Sequence, residues 1–160
     1  MTDKLQEDTF WSELGKLNAV MVGCDGGGAH HQPMAPHVDA NANTLWFYTN
    51  VATDLARGAA GGADAMVCVV GKDHDFYGCL TGKLTQNRSP QKIEEYWSLV
   101  VSAWFDGKDD PSLTMLEFKV HEAMLWVSTD SAAKFGWEIA KANLIDSKPN
   151  IGHQHVLKFL

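Results

Sequence analysis

Apolar positions recur at helical spacing at the start of the chain and then change to strand-like runs. Leu5, Phe10, Trp11, Leu14 and Leu17 lie near one face of a helix that Thr2 or Asp3 can cap and that ends between Gly15 and Asn18. NAVMVGCD (18–25) then reads as a short buried strand, DGGG (25–28) as a turn into HHQPMAPHV (30–38), and TLWFYTN (44–50) as a third strand rich in β-formers. Residues 18–50 are therefore expected to form a three-stranded meander. Pro33 and Pro36 have no N–H to give a ladder, so its middle strand must lie at an edge or be interrupted, which is where a ligand can meet free backbone groups.

Further along, ATDLARGAAGGA (52–63) suits a short helix with Thr53 or Asp54 as cap, and AMVCVVG (65–71) and FYGCLTGKLTQ (76–86) read as two strands joined by the polar KDHD. SPQKIEEYWSLVVSAWF (89–105) predicts one helix, with Ser89 as cap, Pro90 in the first helical position and a stripe of Ile93, Trp97, Val100 or Val101, and Trp104. LTMLEFKV (113–120) and EAMLWVST (122–129) predict a tight antiparallel pair, with Glu117 and Lys119 facing away from Leu116, Phe118 and Val120. A helix over 131–143 and a terminal strand over 153–160 complete the reading. Six or seven strands arriving in hairpin pairs, with about three helices, fit a mainly β (α+β) antiparallel barrel with peripheral helices better than a parallel α/β sheet. The 160 residues, without repeat or internal linker, are expected to form a single domain.

Composition narrows the function classes. With 45% hydrophobic and 21% charged residues the chain is ordinary globular material, and a formal charge of −7 disfavours a nucleic-acid partner, whose phosphates need clustered Lys and Arg. The longest apolar runs fall far short of the ~20 residues of a membrane helix, and the polar, acidic N-terminus lacks the basic region and apolar core of a signal peptide. Cys24, Cys68 and Cys79 are odd in number and contain no C-x-x-C, so a cytoplasmic protein with reduced, buried thiols is expected.

The usual catalytic signatures are missing: there is no G-x-S-x-G, no G-x-x-x-x-G-K and no G-x-G-x-x-G after a strand. His30, His31 and His37, with the H-x-H of His153 and His155, raise the question of a metal. Adjacent His30 and His31 point to opposite faces of a strand, however, and no Cys or acidic residue joins them at a metal-site spacing, so no metal is expected. Six tryptophans are many for this length. Trp46, Trp97, Trp104 and Trp126 fall on predicted elements, where they can pack a core and still offer a wall for a planar ring.

The order of a helix, NAVMVG, QPMAPHV, LWFYTN, a short helix, AMVCVVG, a strand with LTGKLT, the helix YWSLVVSAWF and then DGKDDPSL resembles the general stress protein 26 branch of the pyridoxamine 5'-phosphate oxidase-like, flavin-binding split-barrel superfamily. The resemblance covers residues 5 to about 130. It implies a six-stranded split barrel pairing as a homodimer, with a small-molecule ligand at the interface, namely FMN or another flavin. Pro33 and Met34 match an Arg-Pro-Met strand whose Arg is Gln32 here, and Tyr48, Thr49 and Asn50 match the segment under the flavin ring. Thr53 matches the hydroxyl that opens the phosphate-facing helix, Leu55 stands where that helix carries Lys, and Arg57 follows two residues later. Trp104 and Phe105 match a Trp-Phe pair that walls the pocket from the other subunit. Two cationic phosphate ligands are thus replaced, leaving Thr49, Thr53, Arg57 and backbone N–H groups to hold a phosphate more weakly. The resemblance implies flavin-dependent oxidoreductase chemistry, or a ligand-binding module that has lost tight FMN binding and turnover. No side chain stands out as a catalytic acid or base.

Overall fold

The computed structural model describes residues 2–128 and 153–159. One twisted antiparallel sheet carries the fold. Its strands are β1 (Val20–Cys24), β2 (Gln32–Met34), β3 (His37–Asp39), β4 (Thr44–Asn50), β5 (Ala63–Val70), β6 (Phe76–Gln86), β7 (Leu113–Val127) and β8 (His153–Lys158). The spatial order is β2-β1-β5-β6-β7-β4-β3, with β8 added to β7. Among the described residues four α-helices lie outside it: α1 (Thr2–Leu14), α2 (Asp54–Gly58), α3 (Pro90–Tyr96) and α4 (Leu99–Ser102).

The proline-broken stretch decides the topology. β2 pairs with β1, placing Gln32 opposite Val22, whereas β3 pairs with β4, placing His37 opposite Trp46. The two halves of one extended stretch therefore occupy opposite ends of the sheet path. Met34 and His37 are only three residues apart, a reach of at most about 11 Å, so the path must curl until its ends meet. This is the split barrel, and it replaces the simple meander expected over 18–50. It also accounts for the strand count: the broken strand contributes two segments, and β8 is the terminal strand expected over 153–160.

The barrel interior follows from strand alternation. Leu45 and Phe47 of β4, Val67 and Val69 of β5, Leu80 and Leu84 of β6 and Phe118 of β7 point into one buried cluster with Phe10 and Leu14 of α1. The Phe10 and Trp11 rings of α1 also meet Phe159 after β8, at 5.8 and 5.2 Å. Leu5, expected on the same helix face, is exposed. Truncating one of the filled sites, Phe47→Ala for instance, would cost about 3–5 kcal/mol. β4 is buried on its other face too, where Trp46 packs with Ile93, Leu113 and Met115, flanked by Tyr48, Tyr96, Trp97 and Phe105.

Two sequence expectations are corrected. The helix expected over 89–105 is broken at Trp97 and Ser98, both extended, because the Ser98 hydroxyl caps a second helix by accepting from Val101 N at 3.3 Å. The pair expected at 113–120 and 122–129 is one continuous strand, β7. In its pairing with β6, Thr81 lies opposite Glu122 but Gly82 lies opposite Val120, so His121 is the extra residue of a bulge. The expected opposition of Glu117 and Lys119 to buried Leu116, Phe118 and Val120 holds. The helix expected over 131–143 lies outside the described residues.

Candidate functional site

Of the expected site residues, Thr49, Asn50, Thr53, Leu55 and Arg57 lie where β4 runs into α2. The Thr49 side chain is buried, and its Oγ1 lies 3.3 Å from Thr53 Oγ1. Thr53 closes the turn: its N–H and its hydroxyl both donate to the Asn50 carbonyl, at 3.1 and 3.0 Å, and its Oγ1 accepts from Ala56 N as the cap of α2. Asn50 is exposed and its Oδ1 accepts from Ala52 N at 2.8 Å. The sequence folds this way because Thr53, in extended backbone, takes up one of the orphan donors of a five-residue helix. The same bonds occupy the hydroxyl that a phosphate would require.

Leu55 is the second residue of α2. Its side chain is fully buried in the main core beside Ala56, so the position aligned with the phosphate-facing Lys is occupied here by a core residue. Arg57 is exposed and paired with Asp54 at 2.8 Å, a helix-surface pair that holds the side chain only weakly. At the other end of the sheet path Gln32 and Met34 are half-buried and Pro33 is exposed; Met34 packs against the main core. Phe105 joins the second cluster beside Tyr48, whereas Trp104 is exposed.

Tyr48 sits among groups that sequence reasoning did not bring together. Its hydroxyl donates to the Ile93 carbonyl at 2.7 Å, and its ring meets His37 edge-on at 5.3 Å and Trp97 at 6.2 Å. Burial first, then the nearby Glu94, Tyr96 and Glu95, pushes the Tyr48 hydroxyl up to about 12. His37 also stacks on Tyr96 at 5.0 Å, and burial pushes its imidazole below the ordinary histidine value. Lys92 completes the group, bonded to Asp39 at 2.9 Å and Glu95 at 3.0 Å and lying 5.8 Å from the Trp46 ring and 5.6 Å from that of Tyr96. Its ammonium is raised above the usual lysine range, chiefly by the hydrogen bond to Asp39. The convergence of β3, β4 and α3 depends on long-range pairing and leaves no local signal in the sequence.

A surface cleft of about 500 Å³ lies elsewhere, between the β1–β2 turn and the bulge of β6 and β7. His30, His31, Asp25, Asp64, Met66, Thr81 and His121 line it, and none of the residues expected from the resemblance does. The His31 ring lies against Gly23, where an added Cβ would come within 2.8 Å of it. Among the described residues no three His, Cys, Asp or Glu side chains are placed to hold a metal ion. No helix among them is long and apolar enough to cross a membrane.

Comparison with known proteins places this architecture. Residues 5–150 match the family described as pyridoxamine 5'-phosphate oxidase like. A crystal structure from Jannaschia sp. CCS1, provisionally assigned as general stress protein 26, is 34% identical and superposes with a TM-score of 0.77 over 99% of this chain and 100% of that one. The general stress FMN/FAD binding protein of Xanthomonas citri is 29% identical, with a TM-score of 0.70 over 78% of this chain and 89% of its own. General stress protein 26 of Bacillus subtilis (strain 168) is 39% identical over 51 residues, 32% of this chain. The match spans about a third (36%) of that relative's length. The chain belongs to the pyridoxamine 5'-phosphate oxidase-like family, and its neighbours share the split barrel.

Proposed function

We propose that the protein is a cytoplasmic, stress-related flavin-binding homodimer in which the end of β4 lies under the flavin ring and Trp104 of a second copy walls the pocket. The observation that carries this reading is the exposure of Leu99, Val100 and Trp104, at 90, 73 and 80%, on one short segment of a family member. Apolar side chains grouped in this way are poorly placed in water, and a second copy would cover them. When bound, the flavin supplies hydride and electron chemistry, making an oxidoreductase the first functional class to test. The chain's own groups supply position: Thr49 and Asn50 at the strand end, and the capped turn at Thr53 that fixes both.

The residues suit the ring better than the phosphate. Leu55 is inside the core, Thr53 is occupied as a cap, and Arg57 is shared with Asp54. Without full charge-assisted bonds to the phosphate, FMN and riboflavin should bind with affinities within about tenfold of each other. Fluorescence titration of both ligands, with light scattering of the same sample, tests the reading. A particle of twice the 17.6 kDa chain mass that binds both flavins supports it, and a monomer that binds neither overturns it. The weak phosphate subsite favours a second reading, a ligand-binding module without turnover. Failure of NADH and NADPH to bleach a bound flavin without oxygen would favour that module.

A further inference from the structure

A row of sulfur-bearing side chains crosses the outer face of the sheet. Met21 of β1 is opposite Cys68 of β5, Cys68 opposite Cys79 of β6, and Cys79 opposite Met124 of β7. The two central thiols are half-exposed, and their Sγ atoms lie 3.9 Å apart. Eleven positions separate the two cysteines along the chain, and the β5–β6 register brings them together.

We propose that Cys68 and Cys79 form a reversible dithiol–disulfide pair. Directly opposed residues of an antiparallel pair have Cα atoms about 4.5 or 5.5 Å apart, and both spacings fall within the range that a disulfide bridges. Closing the remaining gap to a bond of about 2.05 Å requires side-chain rotation and a slight approach of two strands already paired over Ala63–Val70. Cys24, the third thiol, lies at the end of β1 with its Sγ 4.0 Å from the Leu55 carbonyl.

The oxidant is a small-molecule disulfide such as oxidised glutathione. One protein thiolate attacks it, forming a mixed disulfide and releasing one reduced glutathione; the second protein thiolate attacks the protein sulfur of that intermediate and releases the other. Two electrons pass from the pair to the oxidant, and the two thiol protons end on the two glutathiones. Burial, then Cys79 beside it, keeps Cys68 protonated above the ordinary thiol value, so its reaction is slow at neutral pH. While the attacking thiol remains mostly protonated, the rate should rise about tenfold per pH unit.

Incubating the native protein with oxidised glutathione, then blocking free thiols and measuring intact and peptide masses, tests the proposal. The expected result is a loss of about 2 Da with one free thiol left per chain, a peptide joining Cys68 to Cys79, and full reversal by dithiothreitol. Cys68→Ser and Cys79→Ser should each stop at the glutathione adduct, and Cys24→Ser should still form the bond. Three free thiols after oxidation, a bridge that includes Cys24, or a bond between two chains would overturn it.

Discussion

Tyr48 Oη donates to the Ile93 carbonyl at 2.7 Å, so a strand side chain satisfies one of the last four carbonyls of α3, which have no partner within the helix. Tyr48→Phe should therefore cost about 1–2 kcal/mol, measured as a lower urea midpoint at unchanged slope. The pH dependence has a definite sign. The hydroxyl is raised to about 12 in the fold, above the ~10 of an unfolded tyrosine, so its contribution is complete below pH ~10 and is lost as pH rises toward 12. The gap between wild type and Tyr48→Phe should narrow over that alkaline range.

His37 behaves oppositely at the acid end. Burial lowers its pKa, so below the unfolded value of ~6.5 the unfolded chain takes up a proton that the fold refuses. Stability is lost as pH falls from about 6.5 to the folded pKa, and the loss then levels off. His37→Phe, which keeps an aromatic ring against Tyr96, should gain on wild type as pH drops from ~7.5 to ~5.5 in parallel urea titrations. A constant difference across that range would rule out the assigned sign.

Leu55→Lys would put an ammonium into the barrel core. Loss of the leucine alone costs about 2–5 kcal/mol, and the charge adds a desolvation penalty. The variant should unfold at lower urea than Leu55→Ala, and its preference for FMN over riboflavin should not rise. A rise in FMN affinity without one for riboflavin would place this side chain on the ligand side after all.

Gly82→Ala should be among the most damaging small changes, at about 3 kcal/mol or more. A Cβ there would run into the Lys119 carbonyl oxygen and crowd Val120 Cα, and backbone atoms in a paired strand have little room to yield. Gly62→Ala provides a comparison that separates steric cost from backbone conformation. Gly62 has a positive φ of 82° and no backbone atom near its missing Cβ. If the clash is decisive, urea midpoints should place Gly82→Ala well below Gly62→Ala.

Much of this fold was legible because each strand announces its own alternation. β7 shows both the strength and the failure of that signal. Its inward residues Leu116, Phe118 and Val120 are even-numbered, and Ala123, Leu125 and Val127 are odd-numbered. The change of phase at His121 was real, but a bulge and a turn produce the same change in a sequence. Similarly, the apolar stripe through 93–104 was correct for Ile93 and Val101, yet Ser98 has a local capping bond that a helical pattern does not reveal. For the site, the hydroxyl run Thr49 to Thr53 could be read from the chain, whereas the inward turn of Leu55 follows from how α2 is seated on the barrel.

The seam at residues 34–37 has a mechanical consequence. β2 and β3 share no ladder in the sheet path, so the cylinder is fastened there by covalent chain. A circularly permuted protein opened between Ala35 and Pro36 would keep each pair of hydrogen-bonded strands and lose this tether. Its barrel would be free to gape like a cut ring, with the two cut ends leaving β2 and β3 as loose lips. The two prolines, by denying N–H groups to that stretch, make the peptide chain itself the clasp.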